Sequence, residues 1–182
     1  MSPILGIFAS STPSVGDYES IATTTVGAGG ASSISFTSIS GTYKHLQLRA
    51  ITGVSSSARY GISFNSDTTL SNYNQHSVYG TGSAAAAFYA ANYWGIGAAS
   101  AGTAFGAAVV DVLDYSNSNK NKVWRSLTGQ DVNGSGGLIL LVSGLWRNTA
   151  AITSITVYPA EDSTGAGSSF QQYSSFALYG IK

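Results

Sequence analysis

Apolar and polar side chains alternate with a period of two along most of this chain, which is the spacing of a β-strand with one buried face. In the segment Lys44–Ile51, for example, Leu46 and Leu48 point one way while Gln47 and Arg49 point the other. The same alternation and the β-branched composition predict strands at Tyr18–Val26, Ser32–Ile39, Lys44–Ile51, Arg59–Asn65, Ala107–Tyr115, Lys122–Val132, Gly137–Trp146 and Ile152–Pro159.

Helix signals are almost absent, and one short segment around DTTLSNYNQ favours about a turn of helix that Asp67 or Thr68 would cap. Asn133–Gly134 suits the tight corner of a hairpin. Many short strands separated by turns predict an all-β fold, an antiparallel β-sandwich, with a jelly roll as the preferred topology. The turns lie in clusters of Gly, Ser, Asn and Asp at Gly27–Gly30, Val54–Ala58, Ser116–Asn119, Asn133–Gly137 and Glu161–Ser169.

The chain ends in the segment QYSSFALYGIK, which alternates like a strand and carries apolar or aromatic side chains on both faces. Phe176 and Leu178 face one way, and Ala177, Tyr179 and Ile181 face the other. A strand that is apolar on both faces is usually central in a sheet or covered by a neighbour. We therefore expect the C-terminal strand to lie inside a sheet.

No charged residue occurs between Ser77 and Val110, and glycines interrupt this segment repeatedly. Because glycine weakens helices, we interpret the segment as weak strands and loops buried against something. Its aromatic cluster is the most suggestive feature, with three readings: a contact between subunits, which we favour, a core strand, or a platform on which a ligand stacks. The cluster consists of Phe88, Tyr89, Tyr93 and Trp94.

Charged residues make up only 9% of the 182 residues, and the formal net charge is zero. Such a surface promotes association, so we expect a homo-oligomer, with a trimer favoured and the charge-free segment contributing to the contact. The basic residues form no stripe, which argues against nucleic acid and against a polybasic membrane patch as partners. The absence of cysteine excludes disulfides, zinc–thiolate sites and thiol nucleophiles.

No catalytic constellation is visible in the sequence. His45 shares a strand face with polar neighbours, His76 follows the predicted helical turn, and no nucleophile elbow accompanies either. Asp111 and Asp114 fall on opposite faces of one strand, so they form no carboxylate pair. The sequence therefore predicts a protein that is not an enzyme, with no catalytic residues, no metal site and no cofactor.

Residues 1–16 form an apolar N-terminal arm followed by a spacer, and residues 17–182 form the single sandwich domain. The arm is either the first strand of the sandwich or, as we favour, a segment that docks onto a neighbouring subunit or a larger particle. The spacer SSTPSVGD has the composition of a flexible linker. The candidate docking residues are Pro3, Ile4, Leu5, Ile7 and Phe8.

Four segments resemble a family of small structural proteins of tailed bacteriophages: MSPILGIFASS, YESIATTTVGAGGASSISFTSISGTYKHLQLRAI, ISFNSDTTLSNYNQHSVYG and the closing SSFALYGIK. The resemblance covers both ends and the first half, whereas the stretch from Ala84 to Ala108 is not distinctive. It implies a β-sandwich located in the virion, in contact with other virion proteins, that decorates or cements the capsid. The alternative is a tail-fibre or spike adhesin module that binds a host-surface glycan, and an enzyme such as a glycan hydrolase is the weakest reading because no acid pair is visible.

Overall fold

The computed structural model describes residues 16–56, 58–99, 101–132, 136–162, 164 and 167–182. Within them the chain forms two antiparallel sheets that pack as a sandwich. The strands, numbered in chain order, are β1 (Tyr18–Thr25), β2 (Ile34–Phe36), β3 (His45–Thr52), β4 (Ala58–Phe64), β5 (Tyr73–Gly80), β6 (Ala85–Ala91), β7 (Gly95–Ala99), β8 (Gly106–Leu113), β9 (Lys122–Asp131), β10 (Gly137–Trp146), β11 (Ile155–Tyr158) and β12 (Ser175–Ile181).

The large sheet has eight strands in the order β1-β12-β3-β8-β9-β10-β5-β6, and the small sheet has four in the order β2-β11-β4-β7. The chain changes sheet at almost every connection, except within the hairpin β5–β6 and the meander β8–β9–β10. Those two exceptions make the large sheet twice as wide as the small one. The wide sheet leaves a large surface that faces away from the core.

Alternation along each strand explains which face is buried. On β3, Leu46, Leu48 and Ala50 are buried against the small sheet, and on β12 Phe176 and Leu178 are buried in the same way. The centre of the core is aromatic, with ring centroids 5–7 Å apart in tilted, stacked or edge arrangements. These rings belong to Phe64, Tyr73, Trp94, Trp124 and Trp146.

Most of the predicted strands are confirmed, as is the all-β sandwich. The C-terminal strand β12 lies between β1 and β3, inside the large sheet, as its two apolar faces indicated. The predicted helical turn is a 3-10 turn at Leu70–Asn72 whose N-cap residue is Thr69 rather than Asp67 or Thr68. It is the only helix in the described ranges, and none there is long enough to cross a membrane.

The charge-free segment from Ser77 to Val110 is more regular than expected. It contains the end of β5, all of β6 and β7, and the first half of β8. The strand β7 is buried at all five positions because it packs against β9 and β10. The hairpin corner at Asn133–Gly134 and the N-terminal arm, residues 1–15, lie outside the described residues.

Candidate functional site: the outer face of the large sheet

The face of the large sheet that points away from the core carries a group of partly exposed aliphatic side chains. We call this group the outer patch, and its members are between 41% and 63% exposed. Soluble monomers expose single aliphatic residues routinely, but a contiguous group of this size usually marks a contact surface. The outer patch consists of Ile51 on β3, Val78 on β5, Val109 on β8, Leu127 on β9, and Ile139 and Leu141 on β10.

Strand register brings the outer patch together. Val109 lies opposite Leu127, Leu127 opposite Leu141, and Leu141 opposite Val78, so four consecutive strands place aliphatic side chains in one row. Directly opposed side chains in antiparallel sheets are about 4.5–5.5 Å apart at Cβ, which is close enough for continuous contact. The row therefore forms one apolar surface rather than four separate positions.

Ile139 lies in the next row, where its two cross-strand neighbours are Gly129 and Gly80. Neither glycine has a side chain that could cover the isoleucine, and Ile139 is the most exposed member of the outer patch at 63%. Beside this row the surface is a shallow depression lined by Val109, Leu127 and Ile139. A flat or shallow surface of this kind fits another protein surface better than it fits a small ligand, for which enclosed clefts are typical.

A polar row borders the outer patch, and Asp111 and Arg125 in this row form an ion pair. Asp111 accepts hydrogen bonds from Gln47 Nε2 at 2.8 Å and from Arg125 Nε at 3.1 Å. Arg49 donates to Gln47 Oε1 at 2.8 Å, and its guanidinium lies 4.9 Å from the centre of the Tyr179 ring. The outer face therefore carries cations and an anion side by side, so it has no strong field of one sign to repel a like surface.

The structure separates the four residues of the predicted aromatic cluster. Tyr89 is 56% exposed on the outer face, where its ring lies 4.8 Å from that of His76. Phe88 is half-buried on the opposite face of β6, with the Arg59 guanidinium 4.5 Å from its ring centre. Tyr93 is half-buried in the turn after β6.

Trp94 is fully buried, which corrects its place in the predicted oligomer contact. Its ring stacks on Tyr158 at 5.5 Å, and its Nε1 donates to the carbonyl of Ala160 at 3.2 Å. An indole that is enclosed and hydrogen-bonded within its own chain cannot contact a partner directly. Of the three readings of the cluster, the core reading therefore holds for Trp94.

The outer patch was missed by the sequence analysis. Segment GLILLVSGLW has aliphatic residues at both odd and even positions, so Leu140 and Val142 fill the core while Ile139 and Leu141 face outward. A strand that is apolar on both faces is the available signal. It was used for the C-terminal strand, but nothing in the sequence says that β9, β10 and β5 are neighbours.

The side chains of His45 and Glu161 make contacts within the chain. His45 Nδ1 accepts a hydrogen bond from the backbone N–H of Asp114 at 3.0 Å, which occupies that nitrogen. Burial raises the pKa of the Glu161 carboxyl above its ordinary value, while the Arg59 guanidinium 3.5 Å away opposes the rise. No group of three or more His, Cys, Asp or Glu side chains that could hold a metal ion occurs among the residues that the structure describes.

Comparisons with protein-family models, with curated proteins and with solved structures find no match to this chain. The class of the protein is therefore defined by its fold, an antiparallel β-sandwich with one wide sheet, and by its exposed outer patch. The resemblance to phage structural proteins stays a prediction from the sequence.

Proposed function

We propose that this chain is a non-enzymatic virion structural protein that decorates or cements a capsid as a homo-oligomer. The observation that carries the assembly part of the proposal is the outer patch, which we assign as the surface that packs against a second copy of the chain. The virion location rests on the resemblance to phage proteins. The charge balance supports self-contact, because two copies with zero net charge and paired surface charges do not repel each other.

The outer patch has enough apolar surface to contribute substantially to association. Its six side chains are about half exposed, so burying the remainder is worth about three whole side chains in each copy, or roughly 9–18 kcal/mol for a pair of patches. Association itself costs about 4–15 kcal/mol in lost translation and rotation. One pair of patches therefore gives a weak to moderate contact, which is suited to a protein that acts in a repeating array.

Strand order supports the jelly-roll topology within this proposal. If the hairpin β5–β6 and the strands β9 and β10 are set aside, the remaining strands have the orders β1-β12-β3-β8 and β2-β11-β4-β7. Four pairs of consecutive strands then lie in opposite sheets, as would be expected for the two Greek keys of a jelly roll. Jelly rolls recur in viral capsid and lectin domains. The added strands carry Val78, Leu127, Ile139 and Leu141 of the outer patch.

The N-terminal arm is the second part of the proposal. The described chain begins at residue 16, just before β1, which is one edge of the large sheet. From there the docking residues Pro3, Ile4, Leu5, Ile7 and Phe8 would hold the oligomer on the particle.

A glycan-binding adhesin is the second candidate, and one observation favours it. Tyr89 and His76 lie beside Ser143 and Leu141 in a shallow depression of the outer face, and an exposed ring next to polar groups can stack on a sugar. A glycan array that retains the wild-type chain and loses the Tyr89→Ala variant would favour this alternative over a purely structural role.

The proposal is tested by placing a charge in the outer patch. In Leu127→Glu, a carboxylate replaces a side chain that is 58% exposed in one chain and buried in the proposed contact. Desolvating an unpaired carboxylate costs several kcal/mol, so we expect at least a hundredfold weaker self-association. Thr23→Glu is the matched control, since Thr23 is exposed on the same sheet but at its far edge.

Light scattering across a range of concentrations gives the mass of each variant and also checks the trimer. Antibody–gold electron microscopy of phage particles checks the location. A Leu127→Glu chain that assembles like wild type would contradict the assignment of the outer patch. Particles that carry no label on head or tail would contradict the virion role.

A further inference from the structure

The strand β6 is an edge of the large sheet, and half of its backbone groups point away from the sheet. Two hydrogen bonds join the ends of β5 and β6, from Asn92 N to Tyr73 O and from Thr81 N to Ala84 O, and both are 2.9 Å long. They show which opposed residues of the two strands form hydrogen-bonded pairs. Because bonded and non-bonded pairs alternate in antiparallel sheets, Ala86, Phe88 and Ala90 bond to β5. The residues between them, Ala85, Ala87, Tyr89 and Ala91, direct their N–H and C=O groups outward.

The other three edges of the sandwich carry features that discourage pairing with a further strand. The edge strand β1 has a register irregularity between Ser20 and Ala22, and Glu19 on it forms an ion pair with Lys182 at 3.1 Å. The edge strand β2 has only three residues, and the edge strand β7 is buried along its whole length. Bulges, charges and short length are the means by which natural sheets protect their edges.

None of these protections occurs on β6. Its sequence AAAFYAA contains no charge, no proline and no glycine, and its ladder to β5 runs without irregularity over seven residues. No strand lies on its outer side in the part of the chain that the structure describes. An exposed, regular and uncharged edge of this length is a template for another strand.

We propose that β6 pairs with β6 of a second copy, antiparallel, about a two-fold axis at Phe88. The sequence AAAFYAA is nearly a palindrome about that residue, so the strand complements itself. In this register Ala87 bonds to the partner's Tyr89, and Ala85 to the partner's Ala91. All four outward residues of each copy then find partners, which gives about eight hydrogen bonds.

Side-chain sizes also fit this register. The large ring of Tyr89 lies opposite the partner's Ala87, and Ala87 lies opposite the partner's Tyr89, so two bulky side chains never face each other on the outer side. On the other side Phe88 faces the partner's Phe88 across the axis, in a non-hydrogen-bonded pair with Cα atoms about 4.5 Å apart. Aromatic pairs across strands are among those that stabilise sheets.

A two-fold contact of this kind is isologous and closes on itself. It joins two eight-stranded sheets into one and places their outer patches on a continuous surface. It gives even-numbered oligomers, so a trimeric mass in light scattering would count against it and in favour of the trimer predicted from the sequence. The inference deepens the proposed function by naming a second self-contact, but the contact itself involves no residue of the outer patch.

Cysteine cross-linking tests the register, because the chain has no cysteine of its own. A disulfide requires Cα atoms about 4.4–6.8 Å apart, which the Phe88 pair satisfies. We expect Phe88→Cys to form a covalent dimer under mild oxidation. Thr23→Cys, on the opposite edge strand of the same sheet, should stay a monomer on a denaturing gel.

Phe88 is half-buried, so a second pair of variants keeps the test independent of its removal. Ala86 faces the partner's Ala90 in the proposed register, so Ala86→Cys mixed with Ala90→Cys should give a mixed covalent dimer. Ala87→Pro removes an N–H that points outward and leaves the ladder to β5 intact, so it should weaken dimerisation at least tenfold. Ala87→Val retains the N–H and should dimerise like wild type.

The inference is overturned if neither cysteine design cross-links faster than Thr23→Cys, or if Ala87→Pro has the mass of wild type at every concentration. The two proposals fail separately. If the β6 cysteine variants cross-link and the Leu127→Glu variant assembles like wild type, only the assignment of the outer patch is contradicted. Loss of assembly in Leu127→Glu with no cross-linking through β6 contradicts the edge contact alone.

Discussion

Asp67 offers a test of the fold that is independent of any partner. It precedes the 3-10 turn, and its carboxylate accepts three hydrogen bonds: from Trp146 Nε1 at 2.8 Å, Asn72 Nδ2 at 2.8 Å and the Thr69 N–H at 3.0 Å. These bonds attach the connection before β5 to the end of β10. Asp67→Asn preserves the shape of the side chain but replaces one acceptor oxygen with a donor NH₂ group.

The cost follows from the number of bonds that the amide can keep. One carboxylate oxygen accepts from Trp146 and Asn72, and the other accepts from Thr69. The less costly orientation turns the amide nitrogen toward Thr69 and loses one bond to a charged acceptor, which is worth about 1.5–3 kcal/mol. For a chain of this length that corresponds to a fall of about 3–12 °C in Tm.

The stability difference between wild type and Asp67→Asn should depend on pH. Burial alone would raise the pKa of Asp67, but the hydrogen bonds from Trp146, Asn72 and Thr69 hold it below its ordinary value. Asp67 therefore contributes stability above the unfolded-state pKa, and this contribution is lost as the pH falls through the lower pKa of the folded state. The difference between wild type and Asp67→Asn should be full at pH 7 and should shrink as the solution becomes more acidic than about pH 4.

Urea unfolding followed by tryptophan fluorescence at several pH values measures that difference. Asp162→Asn is a suitable control, because Asp162 is exposed and its replacement should change stability by less than about 0.5 kcal/mol. Equal stability of wild type and Asp67→Asn at pH 7, or a difference that stays constant down to acidic pH, would refute the reasoning.

Two further predictions concern the core. A methyl group at Gly144 would overlap the ring of Trp124, so Gly144→Ala should lower the free energy of unfolding by about 1–3 kcal/mol or more. Gly129→Ala is the control and should be close to neutral, because its methyl group would meet Ile139 only at 3.9 Å. Thermal melts that show equal stability for the two variants would contradict this packing. The ammonium of Lys122 is buried and donates hydrogen bonds to three backbone carbonyls. Lys122→Met should therefore lower the free energy of unfolding, measured by chemical denaturation, by about 3 kcal/mol. An equal effect of Lys120→Met, at an exposed position nearby, would show that the loss of charge and not the loss of the buried hydrogen bonds is responsible.

Much of the fold could be predicted because each strand that has one buried face shows it in sequence. The alternation of Leu46 and Leu48 with Gln47 and Arg49 in β3 is an example, and the structure buries both leucines. The strand β6 could not be predicted with the same clarity, because five of its seven residues are alanine and a small side chain gives no clear alternation. Its extended state is set by pairing with β5 in the hairpin.

The candidate site was harder to predict than the fold, since it depends on register. Leu127, Leu141 and Val78 are far apart along the chain, and only the pairing of three strands makes them neighbours. The aromatic cluster shows the opposite case, in which residues that are close in sequence lie apart in the structure. Tyr89 and Trp94 are five residues apart, yet the turn after β6 sends one to the surface and the other into the core.

The central claim is that the outer patch is buried between copies of the chain. Because the chain has no cysteine, a maleimide added to Leu127→Cys reports the exposure of that one position, and Ser118→Cys, in an exposed turn, provides the reference rate. We predict that Leu127→Cys reacts much more slowly than Ser118→Cys at concentrations where light scattering shows an oligomer, and that the two rates converge on dilution. Equal rates at every concentration, with an oligomer present, would contradict the claim.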